Sequence, residues 1–204
     1  MSHMFCALLY NKGEFDPSIL KSIINIEPED DAESFIESPI NKKTQIVFYR
    51  PPAHMSRAEG FSEGRTWFAE DISIDLQETL ARKKSARVYL ICYEGISESR
   101  YLYKITTNTF EHRYVSDDYC HRQTIDENYK EKVREKKIEV FPEDFGLVED
   151  NEDNFDEEAY QEALKKATAP FCPLVLLENE LGVKLSDMIA ALHSIDKEGA
   201  RIWP

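Results

Sequence analysis

The side chains able to do chemistry lie in a few short runs of this 204-residue chain. Gln45-Ile46-Val47-Phe48-Tyr49-Arg50 sets an arginine at the end of an apolar strand. Across a glycine-containing loop comes Gly64-Arg65-Thr66-Trp67-Phe68-Ala69. A guanidinium offers a planar fork of donors to carboxylate or phosphate. The plainer reading of Arg50 is a strand end paired with a surface carboxylate. Trp67 and Phe68 are core residues unless one aromatic face is left open for stacking. Glu178-Asn179-Glu180 supplies two carboxylates after the apolar run Leu174 to Leu177. The plainer reading there is a solvated turn between a strand and a helix. His54, in the loop after Arg50, reads as a solvent-facing imidazole or a ligand contact. Cys120-His121 is the one Cys–His neighbour pair. Neighbours on a helix do not face each other, and the spacing is not that of a zinc site, so no metal is expected.

Absent motifs narrow the chemistry. There is no P-loop, no G-x-G-x-x-G after a strand and no H-E-x-x-H. Seven glycines leave little material for a phosphate cradle.

The order of strand, glycine loop, Gly64-Arg65-Thr66-Trp67-Phe68-Ala69-Glu70-Asp71, helix and the strand VYLICYEG resembles the first half of ADP-ribosyltransferase domains, over about residues 45–95. In the arginine-type branch the opening strand ends in a Tyr-Arg pair, as Tyr49-Arg50 does. In the poly-ADP-ribose-polymerase branch a Gly-x-x-Tyr-Phe-Ala stretch precedes a helix, and Gly64 to Ala69 is similar, with Trp67 in the tyrosine position. The resemblance implies NAD as substrate, bound by Tyr49, Arg50, Thr66 and Trp67. Arg50 would hold the pyrophosphate and Trp67 would stack on nicotinamide. It further implies a Glu-x-Glu pair supporting an oxocarbenium-like transition state, for which Glu178 and Glu180 have the spacing. Arg65-Thr66-Trp67 stands in place of the family's Ser-Thr-Ser stretch, and Pro51 stands where many members have glycine.

A different class of function is written in the charge. Lys plus Arg number 25 and Asp plus Glu 39, a net charge of −14. Such a field repels nucleic acid and anionic lipid and draws in a basic protein. Arg82, Lys83, Lys84 and Arg87 form the one compact basic candidate. From Glu143 to Glu158 there are nine carboxylates and no Lys or Arg, interrupted by Phe145, Leu147, Val148 and Phe155 and flanked by Phe141 and Tyr160. Aromatics among carboxylates can anchor a basic surface while charge speeds encounter. An immunity protein or inhibitor masking a basic toxin would carry such a segment; a solvated acidic helix that confers solubility is the plainer alternative.

The scattered cysteines Cys6, Cys92, Cys120 and Cys172 form no C-x-x-C pair, and no apolar stretch approaches the length of a membrane helix. Residues 1–3 read as a tag remnant, with no signal-peptide pattern. A cytoplasmic protein is expected.

The elements that must position these groups follow from periodicity. Strands are expected at Met4 to Tyr10, Gln45 to Arg50, Thr66 to Ala69 and Arg87 to Tyr93. Arg100 to Ile105 and Thr109 to Val115 should pair as a hairpin. Helices are expected after the Asp16-Pro17 cap, around Asp31 to Glu37, over Asp71 to Lys84, over Tyr160 to Ala167, and after Ser186. Asp117 to Lys136 has helix-forming composition, and Ile138 to Phe141 is expected to return to the sheet. The sum is a single α+β domain over 4–204, a mixed, mainly antiparallel sheet of five to seven short strands flanked by helices.

Overall fold

The structure, a computed structural model, describes residues 4–23, 35–49, 76, 78–80, 86–94, 99–115, 120–125, 132–137, 140–147 and 155–196. Their framework is an antiparallel sheet of eight strands. These are β1 (Met4–Asn11), β2 (Phe35–Pro39), β3 (Thr44–Tyr49), β4 (Arg87–Glu94), β5 (Ser99–Thr106), β6 (Phe110–Val115), β7 (Cys120–Ile125) and β8 (Lys132–Lys137). The spatial order is β2-β3-β1-β4-β5-β6-β7-β8, so β4 to β8 form a meander and β1 lies between β3 and β4. Among the described residues every ladder is antiparallel, and the strands there number one more than the upper expectation.

Burial explains the sequence of the central strands. From Cys6 to Tyr10 no residue is more than 3% exposed, which is why that run is apolar without alternation. Successive side chains enter opposite cores. Ala7, Leu9, Ile46, Phe48, Tyr89, Ile91 and Leu102 pack on one face under helix α3 (Pro173–Leu181) and helix α4 (Leu185–Asp196). Cys6, Leu8, Val47, Val88 and Leu90 pack on the other with Leu20 of helix α1 (Ser18–Ile23) and with Leu76 and Leu80. Each fully buried Leu or Phe contributes roughly 1.5–3 kcal/mol.

Local chemistry sets the element ends. Asp16 Oδ1 accepts from the Ser18 N–H at 3.0 Å and opens α1 as expected. The β5–β6 hairpin turns without glycine because Thr106 Oγ1 accepts the Thr109 N–H at 3.0 Å, replacing turn geometry with a side-chain bond. Helix α2 (Glu157–Thr168) is capped by Asp156, whose Oδ1 accepts from Ala159 N–H at 3.0 Å. The first turn of α4 is capped by Asp187, which accepts the Lys184 N–H at 2.8 Å; Ser186, expected as the cap, lies inside that turn.

Several expectations are corrected. Phe35 to Glu37 are strand, not helix, because β2 closes the outer side of β3 and lays Ile36 against the core. The segment read as helical across 117–136 instead supplies β7 and β8, which extend the meander by six register pairs each. Tertiary pairing overrides composition there. The return to the sheet comes at Lys132–Lys137, not at Ile138 to Phe141, whose described residues Val140 and Phe141 lie outside any strand. Leu174 to Leu177 belong to α3 and not to a strand; Pro173 occupies its first turn, and Leu176, Leu177 and Leu181 form its buried side. The strand expected at Thr66 to Ala69 and the loop before it lie outside the described residues. Of the helix expected over Asp71 to Lys84, Leu76 and Glu78 to Leu80 are described, and they are helical.

Candidate functional site

Glu180 sits where α3 crosses the β4–β5 pair. Tyr89 and Lys104 are direct register partners on those strands. The Tyr89 hydroxyl donates to Glu180 Oε2, and Lys104 Nζ donates to Oε1 at 2.6 Å. Arg87 Nη1 stands 4.0 Å from Oε2. Both carboxylate oxygens are therefore occupied. Burial pushes the carboxyl up, but the hydrogen bonds from Lys104 and Tyr89 and the charges of Lys104 and Arg87 outweigh it and hold it below its ordinary range. The Tyr89 phenol is pushed up by burial and by bonding to this carboxylate. Chemically, the cluster anchors a helix to a sheet with an ionised glutamate.

Glu178, two residues earlier, is exposed and 3.5 Å from Lys184 Nζ. On a helix, residues two apart lie on opposite sides, so the Glu-x-Glu pair does not converge on one point. Tyr49 ends β3 opposite Phe35. Ile46, three residues before it, shares a ladder row with Leu9 and Tyr89. At about 3.3 Å per residue, the Tyr49 backbone lies roughly 10 Å further along the sheet than that row, and two strands away. Arg50, Thr66, Trp67 and His54 lie outside the described residues. So does Gly60-Phe61-Ser62-Glu63-Gly64, whose letters match the nucleophile elbow and which motif reading of the loop passes over.

The opposite face of the meander carries a ladder of rings. Tyr103 stacks on His112 with centroids 4.5 Å apart and planes 10° apart. His112 meets His121 edge-on at 4.8 Å, and His121 stacks on Tyr114 at 5.5 Å. Burial lowers the His112 pKa to about 4, helped by His121 and Arg134. His121 thus belongs to a strand-borne aromatic row, not to a Cys–His unit. The signal was the alternation Tyr101, Tyr103 and Phe110, His112, Tyr114; the register that joins it to His121 is not readable from one strand alone. Among the described residues no group of three or more His, Cys, Asp and Glu is placed to hold a metal ion.

The acidic segment is ordered at both ends. A short 3-10 turn (Pro142–Phe145) closes at Gly146, whose φ of 97° favours glycine. The Asp156 N–H donates to the Phe145 carbonyl at 3.1 Å, tying the beginning of the segment to the start of α2. Phe145 and Phe155 both pack on Tyr160, at 5.6 and 5.5 Å. The aromatics thus hold the backbone, while Glu143, Asp144, Asp156, Glu157, Glu158 and Glu162 stay exposed. Phe141 beside them is 54% exposed. Residues 148–154, with Glu149, Asp150, Glu152 and Asp153, lie outside the described residues. No helix among the described residues is long and apolar enough to cross a membrane. Comparison with protein-family models, with curated proteins and with solved structures finds no match to this chain.

Proposed function

We propose that this chain is a non-catalytic acidic interaction protein that binds a basic protein surface, as an immunity protein or inhibitor does. The observation that carries the reading is the set of exposed carboxylates on an ordered turn and helix N-terminus, with an exposed phenylalanine preceding the turn. Carboxylates held on a turn and a helix N-terminus that are tied together concentrate negative charge, and Phe141 supplies the apolar contact that charge alone lacks. A net charge of −14 speeds encounter with a basic partner.

ADP-ribosyl transfer is the competing reading. It rests on Arg50, Thr66 and Trp67, and on a glutamate free to meet a ribose. Glu180 would first have to leave Tyr89 and Lys104.

The test is a comparison of three proteins: the wild type, a variant with Glu143→Gln, Asp144→Asn, Glu158→Gln and Glu162→Gln, and Phe141→Ala. Each is used at low salt to capture partners, and any basic protein enriched is purified and its affinity measured against salt. The proposal expects at least tenfold weaker binding in the charge variant and a flatter salt dependence. It also expects a loss in Phe141→Ala, which leaves the charge unchanged. A partner bound equally by all three proteins overturns it.

A further inference from the structure

We infer that Cys6 and Cys92 are a built cross-strand thiol pair that closes reversibly into a disulfide under a peroxide. The two residues are direct register partners across the β1–β4 ladder. They share one face of the sheet, packed with Leu8, Leu90 and Val88, and each is 2% exposed. Direct partners on antiparallel strands have Cα atoms about 4.5–5.5 Å apart, inside the roughly 4.4–6.8 Å that a disulfide spans. Their Cβ atoms, at about 4.5–5.5 Å, are wider apart than the roughly 3.8 Å of a relaxed bridge. Closure therefore draws the strands together, and the bond is strained and readily reduced, the property of a switch and not of a staple.

A third group marks the same spot. Tyr101 is the register partner of Cys92 on β5. Its phenol is pushed up by burial, then by the nearby Cys6 and Cys92 sulfurs and a hydrogen bond with Cys92. Both thiols therefore lie within electrostatic reach of one hydroxyl. Cys120 and Cys172 share a separate cluster with Val115 and Phe171, and no ladder fixes their spacing.

The chemistry balances with hydrogen peroxide as oxidant. One thiol loses its proton and its sulfur attacks a peroxide oxygen; the O–O bond breaks, giving a sulfenic acid and water. The second sulfur attacks the sulfenic sulfur, the S–S bond forms, the S–O bond breaks, and hydroxide leaves as water with the second thiol's proton. The pair gives up two electrons and the peroxide takes them. A dithiol reverses the step by exchange.

The experiment treats the reduced full chain with graded hydrogen peroxide, alkylates it under denaturing conditions, and maps peptides without reduction. The expected result is a linked Cys6–Cys92 peptide, with both residues losing alkylation at the same peroxide dose and regaining it with dithiothreitol. In Cys92→Ser, Cys6 should instead trap a sulfenic-acid reagent. Oxidation confined to Cys120 or Cys172, or a bridge from Cys6 to either of them, overturns the inference. The wild-type map decides the matter even if Cys92→Ser folds poorly.

Discussion

His112 Nδ1 and His121 Nε2 lie 3.1 Å apart across the β6–β7 ladder, although neither is the other's register partner: His112 stands opposite Gln123 and His121 opposite Tyr114. One nitrogen must carry the proton and the other the lone pair. The bond therefore survives only while at least one ring is neutral, and Arg134 across β7 further disfavours a second positive charge.

Stability should fall in mild acid. His112 is held at about 4, below its ordinary 6.5. Between those values the unfolded chain binds more protons than the folded one, so stability rises with pH across that window. The contribution is full above about 6.5, shrinks as the pH drops toward about 4, and is flat beyond it; its size is up to roughly 3 kcal/mol. Melting temperature from pH 8 to pH 4 measures this, and His112→Phe, which keeps a ring against Tyr103, should flatten the profile. An imidazole signal of His112 titrating near its ordinary value would contradict it.

Glu180→Ala should destabilise the fold by about 2–3 kcal/mol, because it leaves the buried Tyr89 hydroxyl and the partly buried Lys104 without their acceptor. Lys104→Met should cost less, about 1–2 kcal/mol, since Glu180 Oε2 keeps the Tyr89 bond and the Arg87 charge while only Oε1 loses its donor. Denaturant titration of both single variants and the double variant should give a coupling of about 1 kcal/mol or more. The carboxyl is held below its ordinary 4.5, so this contribution is complete above that pH and fades only on further acidification.

Gly182→Ala should cost about 1 kcal/mol. Gly182 ends α3 with φ of 65°, and its N–H donates to the Glu178 carbonyl at 3.0 Å. No atom lies within 4 Å of where a Cβ would stand, so the penalty is backbone strain without a clash. Gly182→Asn, which tolerates this conformation better, should recover part of the loss in the same unfolding assay.

Calorimetry with NAD at millimolar concentration should show no binding to the wild type. Micromolar binding that disappears in Arg50→Ala would instead favour ADP-ribosyl transfer over the interaction reading.

Most of the central sheet was legible because it is buried. Continuous apolar runs such as Cys6 to Tyr10 and Val88 to Tyr93 read as strands covered on both faces, and both are buried. The outer strands were not. Cys120 to Ile125 and Lys132 to Lys137 are rich in Arg, Lys and Gln, and they become strands because a neighbour offers a ladder. Leu174 to Leu177 misled for the opposite reason: four apolar residues fit either a strand or one turn of a buried helix, and only packing decides. The acidic segment was visible as charge, but its order depends on Phe145, Phe155 and Tyr160 meeting, a contact across fifteen residues that spacing does not give.

The position of β1 has a consequence for how the chain assembles. From β4 to β8 each strand pairs with the one made just before it, so these ladders close short loops and can zip in order. β1 is different: Leu9 must find Tyr89 and Ile46 at once. Such distant pairing is slow relative to the local hairpins. During synthesis the most apolar strand of the sheet therefore emerges first and is enclosed only after β4 has followed it. Until then an aggregation-prone segment is uncovered, and the growing chain depends on speed, or on a chaperone, to keep it from other chains.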